Sequence, residues 1–146
     1  MKKPDSLRRA LTDSVRYLRD NPDSLHVFVD DGRAISTGVP CRGWEYQYTL
    51  NIVVTDFSGD QNLLMAAIQE WLSVNQPDVM ANPDKREKAV RFQVDILSHT
   101  TCDISYYLDL TERVIVSVNG DMATVKAIDE PESPEWQDNY WLKHHG

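Results

Sequence analysis

The stretch Trp44-Glu45-Tyr46-Gln47-Tyr48-Thr49-Leu50-Asn51-Ile52-Val53-Val54-Thr55 decides the fold. Large apolar side chains stand at 44, 46, 48, 50 and 52, with Glu, Gln, Thr and Asn between them. A period of two places the first set on one face of a β-strand and the second on the other. The run then becomes continuously apolar, as a strand does when both its faces are covered. Such a strand needs partners on its edges and a layer over its apolar face.

Downstream, Ser58-Gly59-Asp60 supplies a turn and a helix cap. Leu63, Leu64, Ala67, Ile68, Trp71 and Leu72 then form the wide apolar stripe of a helix made to lie on a sheet, ending near Gln76-Pro77. Upstream, Leu25–Val29 reads as a first strand that ends in a turn at Asp30-Asp31-Gly32. Before it, Leu7, Leu11, Val15 and Leu18 predict one amphipathic helix from Asp5 to Asp20, capped by Asp5 or Ser6 and stopped by Asn21-Pro22. Arg8, Arg9, Arg16 and Arg19 flank this stripe, with Arg9/Asp13 and Arg16/Asp20 spaced for ion pairs.

After a polar loop at Asn82–Lys88, the chain reads as all-β: strands at Ala89–Leu97, Asp103–Thr111, Arg113–Val118 and Ala123–Ile128. Ser98–Thr101 and Asn119-Gly120 are the turns, and Asn-Gly between β-branched runs is a hairpin signal. These readings predict a single α+β domain over residues 1–128. Its mostly antiparallel or mixed sheet has about five to six strands, with two main helices packed on it. Residues 129–146, rich in acids and carrying two prolines, predict a tail outside the core.

A length of 146 residues suits one domain with its own core. The net charge of −8 and a pI near 4.8 oppose a protein whose work is to grip nucleic-acid phosphates. Cys41 and Cys102 show no CxxC spacing, so both are read as free thiols of a reducing compartment. No run reaches the roughly 18 apolar residues of a membrane span, and no leader segment is apparent.

Chemistry-bearing patterns are sparse. His26, His99, His144 and His145 lack a second ligand at metal-site spacing. Gly-rich phosphate loops, GxSxG and HExxH are absent. Asp30-Asp31 and Asp56/Asp60 sit where Asp serves turns. The sequence therefore nominates no catalytic residue, metal ligand or cofactor.

Interface-like features remain. Trp44 and Tyr46 present rings from the long strand, although a core face is the plainer reading. Trp136, Tyr140 and Trp141 stand in a polar tail, where aromatics suit docking. Residues 1–19 hold six Lys/Arg against two Asp, whereas 120–142 hold six acids against one Lys, and opposite-sign ends suit head-to-tail contacts between copies. Arg8, Arg16, Arg19, Trp44, Tyr46, Trp136, Tyr140 and Trp141 are the candidate assembly residues. Two other classes compete: an adaptor acting through the C-terminal aromatics, and a small hydrolase using a thiol with His99.

Several strings are distinctive together: Lys3-Pro4-Asp5-Ser6-Leu7-Arg8-Arg9-Ala10-Leu11-Thr12-Asp13, Asn21-Pro22-Asp23, Val27-Phe28-Val29-Asp30, Tyr48–Phe57, Gly59-Asp60, Trp71-Leu72 and Asn75-Gln76-Pro77-Asp78. In order and spacing over residues 1–80 they resemble the tail completion protein R (GpR) family of P-two-like, Peduovirus-type contractile-tailed phages and related prophages. In the second half the likeness rests on the strand-rich pattern and Leu110-Thr111-Glu112-Arg113. The resemblance implies a tail-terminator-like fold and a non-enzymatic protein that caps the head-proximal end of the tail tube and prepares it for head joining. It implies copies of itself in a ring, as in hexameric terminators, with the tail tube protein and head–tail connector or neck proteins as partners. It also implies assembly in the host bacterial cytoplasm and residence in the virion tail, with DNA passing through the ring.

Overall fold

The computed structural model describes residues 1–36 and 42–128. The described chain runs α1 (Lys3–Ser14), α2 (Arg16–Asp20), a 3-10 turn at Pro22–Ser24, β1 (Leu25–Ser36), β2 (Gly43–Phe57), α3 (Gln61–Asn75), α4 (Pro77–Ala81), α5 (Pro83–Glu87), β3 (Val90–Ile96), β4 (Cys102–Asn119) and β5 (Met122–Ile128). The architecture is α+β. All pairings are antiparallel, in the order β1-β2-β4-β3, with β5 also on β4.

The alternation read from Trp44 to Ile52 governs the central pair. Leu50 faces Leu108, Ile52 faces Tyr106 and Val54 faces Ile104, and all six side chains are buried. The long α3 covers this face with Leu64, Ala67, Ile68, Trp71 and Leu72, while Leu7, Leu11, Val15 and Leu18 bring the N-terminal segment onto the same core. Asp60 caps α3, its carboxylate accepting from the Asn62 N–H at 2.9 Å.

Five expectations are corrected. The N-terminal helix is not continuous: Val15 is extended (φ −115°, ψ 110°) and separates α1 from α2. Val15 is β-branched and buried. The bend still buries Leu18 and sets Tyr17 edge-on to Phe57, with ring centroids 5.2 Å apart. Second, Asp30-Asp31-Gly32 is a bulge inside a longer β1, with Asp31 at φ 51°, so the positive φ expected of a turn serves to kink a strand. Third, residues 103–118 belong to one strand, because β2 pairs with β4 from Gly43↔Ile115 to Phe57↔Cys102. Among the described residues the sheet thus has five strands. Fourth, α1 begins at Lys3 with Pro4 in its first turn, ahead of the expected Asp5 or Ser6 caps. Fifth, the segment taken for a loop at 82–88 contains the exposed helix α5, capped by the Asn82 side chain.

The Asn-Gly hairpin forms one residue later than the dipeptide suggests. Asn119 pairs with Met122, and the loop is Gly120-Asp121 with Gly120 at φ 65°. Because β3 takes the lower half of one β4 edge and β5 the upper half, the β4/β5 hairpin extends past β3 along the same edge.

Candidate functional site

Where β2 and β4 meet the N-terminal helix, the apolar alternation is interrupted by charge. Glu112 stands on the helix-covered face of β4, buried, and accepts the Tyr48 hydroxyl at 2.7 Å and the backbone N–H groups of Lys2 and Lys3 at 2.7 and 3.3 Å. Lys3, also buried, donates its ammonium to Gln76 Oε1 at 2.6 Å and to the Thr111 carbonyl. Gln76 donates in turn to Asp78 (2.8 Å) and Thr111 Oγ1 (2.9 Å), and accepts the Thr111 N–H at 3.1 Å. Buried polar atoms need such partners to avoid a desolvation penalty. Burial, then the hydrogen bond and charge of Glu112, pushes the Tyr48 phenol well above its ordinary range.

The residues of this network come from strings that are scattered in the sequence: Lys3-Pro4, Tyr48, Gln76-Pro77-Asp78 and Thr111-Glu112. Folding gathers them into one polar knot joining α1, α4 and the two central strands. Sequence reasoning missed it, and the one available signal was Thr111-Glu112 inside a run of otherwise apolar alternate positions.

A groove of about 900 Å³ opens beside the knot, between the β1 bulge and α4–α5. Arg33, Lys85 and Lys88 line it together with Asp31, Asp78, Asp84 and Asp109. Burial disfavours the Asp78 carboxylate, but hydrogen bonds from Gln76 and Lys85 and the lysine's charge outweigh it and hold the group below its usual range. The paired bonds from Arg91 (3.0 and 3.1 Å) do the same for Asp109. These carboxylates are satisfied ion-pair partners. Among the described lining residues, the Thr49 hydroxyl donates to Asp109 at 3.1 Å, a carboxylate already held by the two Arg91 bonds.

The hydrolase reading asks for a thiol with His99; of the two thiols, Cys102 lines a separate cavity of about 420 Å³ with His99, and Cys41 lies outside the described residues. Cys102 is buried, its thiol within 3.7 Å of the Phe57 carbonyl and 3.6 Å of the Gln61 amide. Its contacts are those of a packed thiol, and no described hydrogen bond joins it to His99. Among the described residues no group of three or more His, Cys, Asp or Glu is placed to hold a metal, and no helix is long and apolar enough to cross a membrane.

Of the candidate assembly residues, Arg8, Arg16 and Arg19 are exposed on α1 and α2, and Arg16 reaches Asp20 at 3.7 Å. Trp44 and Tyr46 are half-buried and meet edge-to-face at 5.9 Å, and Tyr46 packs against the core. They stand on β2, apart from the helical arginines in the chain, and no described contact joins the two sets. Cys41, Trp136, Tyr140, Trp141, His144 and His145 lie outside the described residues, as does the expected tail at 129–146.

No solved structure matches the chain. The family model of P2 phage tail completion protein R (GpR) matches residues 1–132. The chain is 48% identical over 135 residues to "Tail completion protein R" of Escherichia phage P2, covering 92% of this chain and 87% of the relative. With a match that spans the whole described fold, the chain belongs to the P2 phage tail completion protein R (GpR) family.

Proposed function

We propose that this chain is a non-enzymatic tail completion protein that closes the head-proximal end of a phage tail tube as a ring and readies it for the filled head. The observation that carries this reading is the family match over residues 1–132 together with 48% identity to a protein named for tail completion. The packing of three polar groups in the described cavities is consistent with it: Asp78 is held by Gln76, Asp109 by Arg91, and the Cys102 thiol lies against the Phe57 carbonyl.

Two features support contacts between copies. Among the described residues β1 and β3 are outer strands of the sheet, and exposed Phe28, Ile35, Phe92 and Ile96 stand along them, the edge type through which strands of another chain add. Arg8, Arg16 and Arg19 present charge opposite to the acidic bulk of the chain, which suits a repeated heterologous contact that closes on itself. One ring face continues the tube's contacts while the other differs, so no further tube subunit adds. The connector then meets that second face. A net charge of −8 lets DNA pass without sticking. The protein acts in the host cytoplasm and ends in the virion tail.

The test is to inactivate the reading frame in its phage or prophage and view the lysate by electron microscopy. Aberrant-length tails beside unattached filled heads, corrected by adding purified protein, are the expected outcome. Normal infectious particles would overturn the proposal.

A further inference from the structure

On a chain whose net charge is −8, one cleft of about 630 Å³ carries an excess of positive groups. It lies between the start of α1, the end of α3 and the root of the β4/β5 hairpin. Lys2, Arg9 and Arg113 line it and are exposed, and no described carboxylate pairs with any of the three side chains. Two acids share the cleft. Glu112 has both oxygens engaged by Tyr48 and the Lys2 and Lys3 N–H groups, and Asp5 lies in the first turn of α1. Apolar surface is also left open there: Val74 is 51% exposed and Ile128 37%.

Ile128 is both a wall of this cleft and the last described residue of the chain, so the C-terminal segment starts at the cleft's rim. That segment opens with Asp129-Glu130-Pro131-Glu132-Ser133-Pro134-Glu135-Trp136, and residues 129–146 hold five acids against one lysine. At about 3.3 Å per extended residue, 129–135 reaches about 23 Å, enough to lie along the cleft. Charge, apolar surface and the point of exit agree on the occupant. We infer that the cleft of Lys2, Arg9 and Arg113 is the seat of the chain's own acidic segment, its carboxylates on the basic side chains and Trp136 against Val74 and Ile128.

The test uses the full chain as an equal mixture of unlabelled and isotope-labelled copies, joined by an amine-to-carboxyl carbodiimide and read by mass spectrometry. The inference expects Lys2 coupled to Glu132 or Glu135 within same-isotope chains. Hydrogen exchange of residues 130–141 should be slowed about fivefold at low ionic strength, a protection that about 0.5 M salt removes. Arg9→Glu with Arg113→Glu, both at exposed positions, should abolish coupling and protection while leaving the urea midpoint of the domain in place. Mixed-isotope coupling would overturn the inference in favour of a neighbour's segment. Exchange indifferent to salt in the unaltered protein would overturn it whether or not the double variant folds.

Discussion

Glu112 illustrates how much one side chain organises. It accepts three hydrogen bonds, from Tyr48 and from the first residues of α1, so that a charge buried in the sheet becomes the anchor of the N-terminus. Replacing Glu112 by Gln keeps the shape but weakens the charge-assisted bonds and sets an amide against a donor, and should cost about 1.5–3 kcal/mol. A lower urea midpoint at unchanged slope would show it; an unchanged midpoint would mean that the knot is incidental. The phenol raised by burial and by this carboxylate has a consequence of definite sign. Tyr48 is protonated when folded and ionises more easily when unfolded, so its contribution is full below the ordinary tyrosine value of 10.0 and is lost as pH rises above it. Tyr106, pushed up to about 12 chiefly by burial, acts in the same direction. Melting temperature should therefore fall from pH 10 upward, and Tyr48→Phe should flatten that decline. A slope unaltered in the variant would remove Tyr48 from the account.

At the scale of elements, α3 lies on the β2/β4 pair through an interior with Leu64, Ile68 and Leu72 fully covered. Ile68→Ala leaves a void beneath the helix and should cost about 2–5 kcal/mol, measured by denaturation, with far-ultraviolet dichroism retained at low temperature. A cost below about 1 kcal/mol would mean that helix and sheet are not tightly joined at this point. The elements that rest on local pattern were legible in the sequence: the stripes at 7, 11, 15 and 18 and at 64, 67, 68, 71 and 72, and the alternation from 48 to 54, are buried as their spacing requires, whereas Leu63, read into the same stripe, sits at its solvent edge and is 56% exposed. What was not legible depends on distant partners. Thr111-Glu112 looked like a break between strands because a polar pair in an apolar run has no local justification; its partners Lys3, Tyr48 and Gln76 lie 109, 64 and 35 residues away. The bulge at Asp30–Arg33 was hidden for the opposite reason, since a turn and a kinked strand use the same residues. Of the candidate surface, the exposure of Arg8, Arg16 and Arg19 was readable from their flank position. The half-burial of Trp44 and Tyr46 depends on what packs over the strand.

For the molecule as a whole, the residues proposed for assembly are not those that hold the fold, and this separation makes the proposal testable. Arg8, Arg16 and Arg19 are exposed, and the one ion pair described among them, Arg16 with Asp20, is a solvated helix pair worth little. Reversing all three to Glu should move stability by no more than about 0.5 kcal/mol per site, while phage yield in a complementation assay falls by orders of magnitude. Full complementation by a folded triple variant would remove this face from the assembly surface. The order of the strands has one more consequence. β4 alone pairs with β2, β3 and β5, and it also supplies Thr111 and Glu112 to the N-terminal helix. On the ribosome, the first hundred residues therefore emerge without the strand that unites them, and β2 exposes an open edge until synthesis has passed Asn119. A translation product interrupted before Cys102 therefore lacks the strand that unites the sheet and is a target for chaperones and proteases.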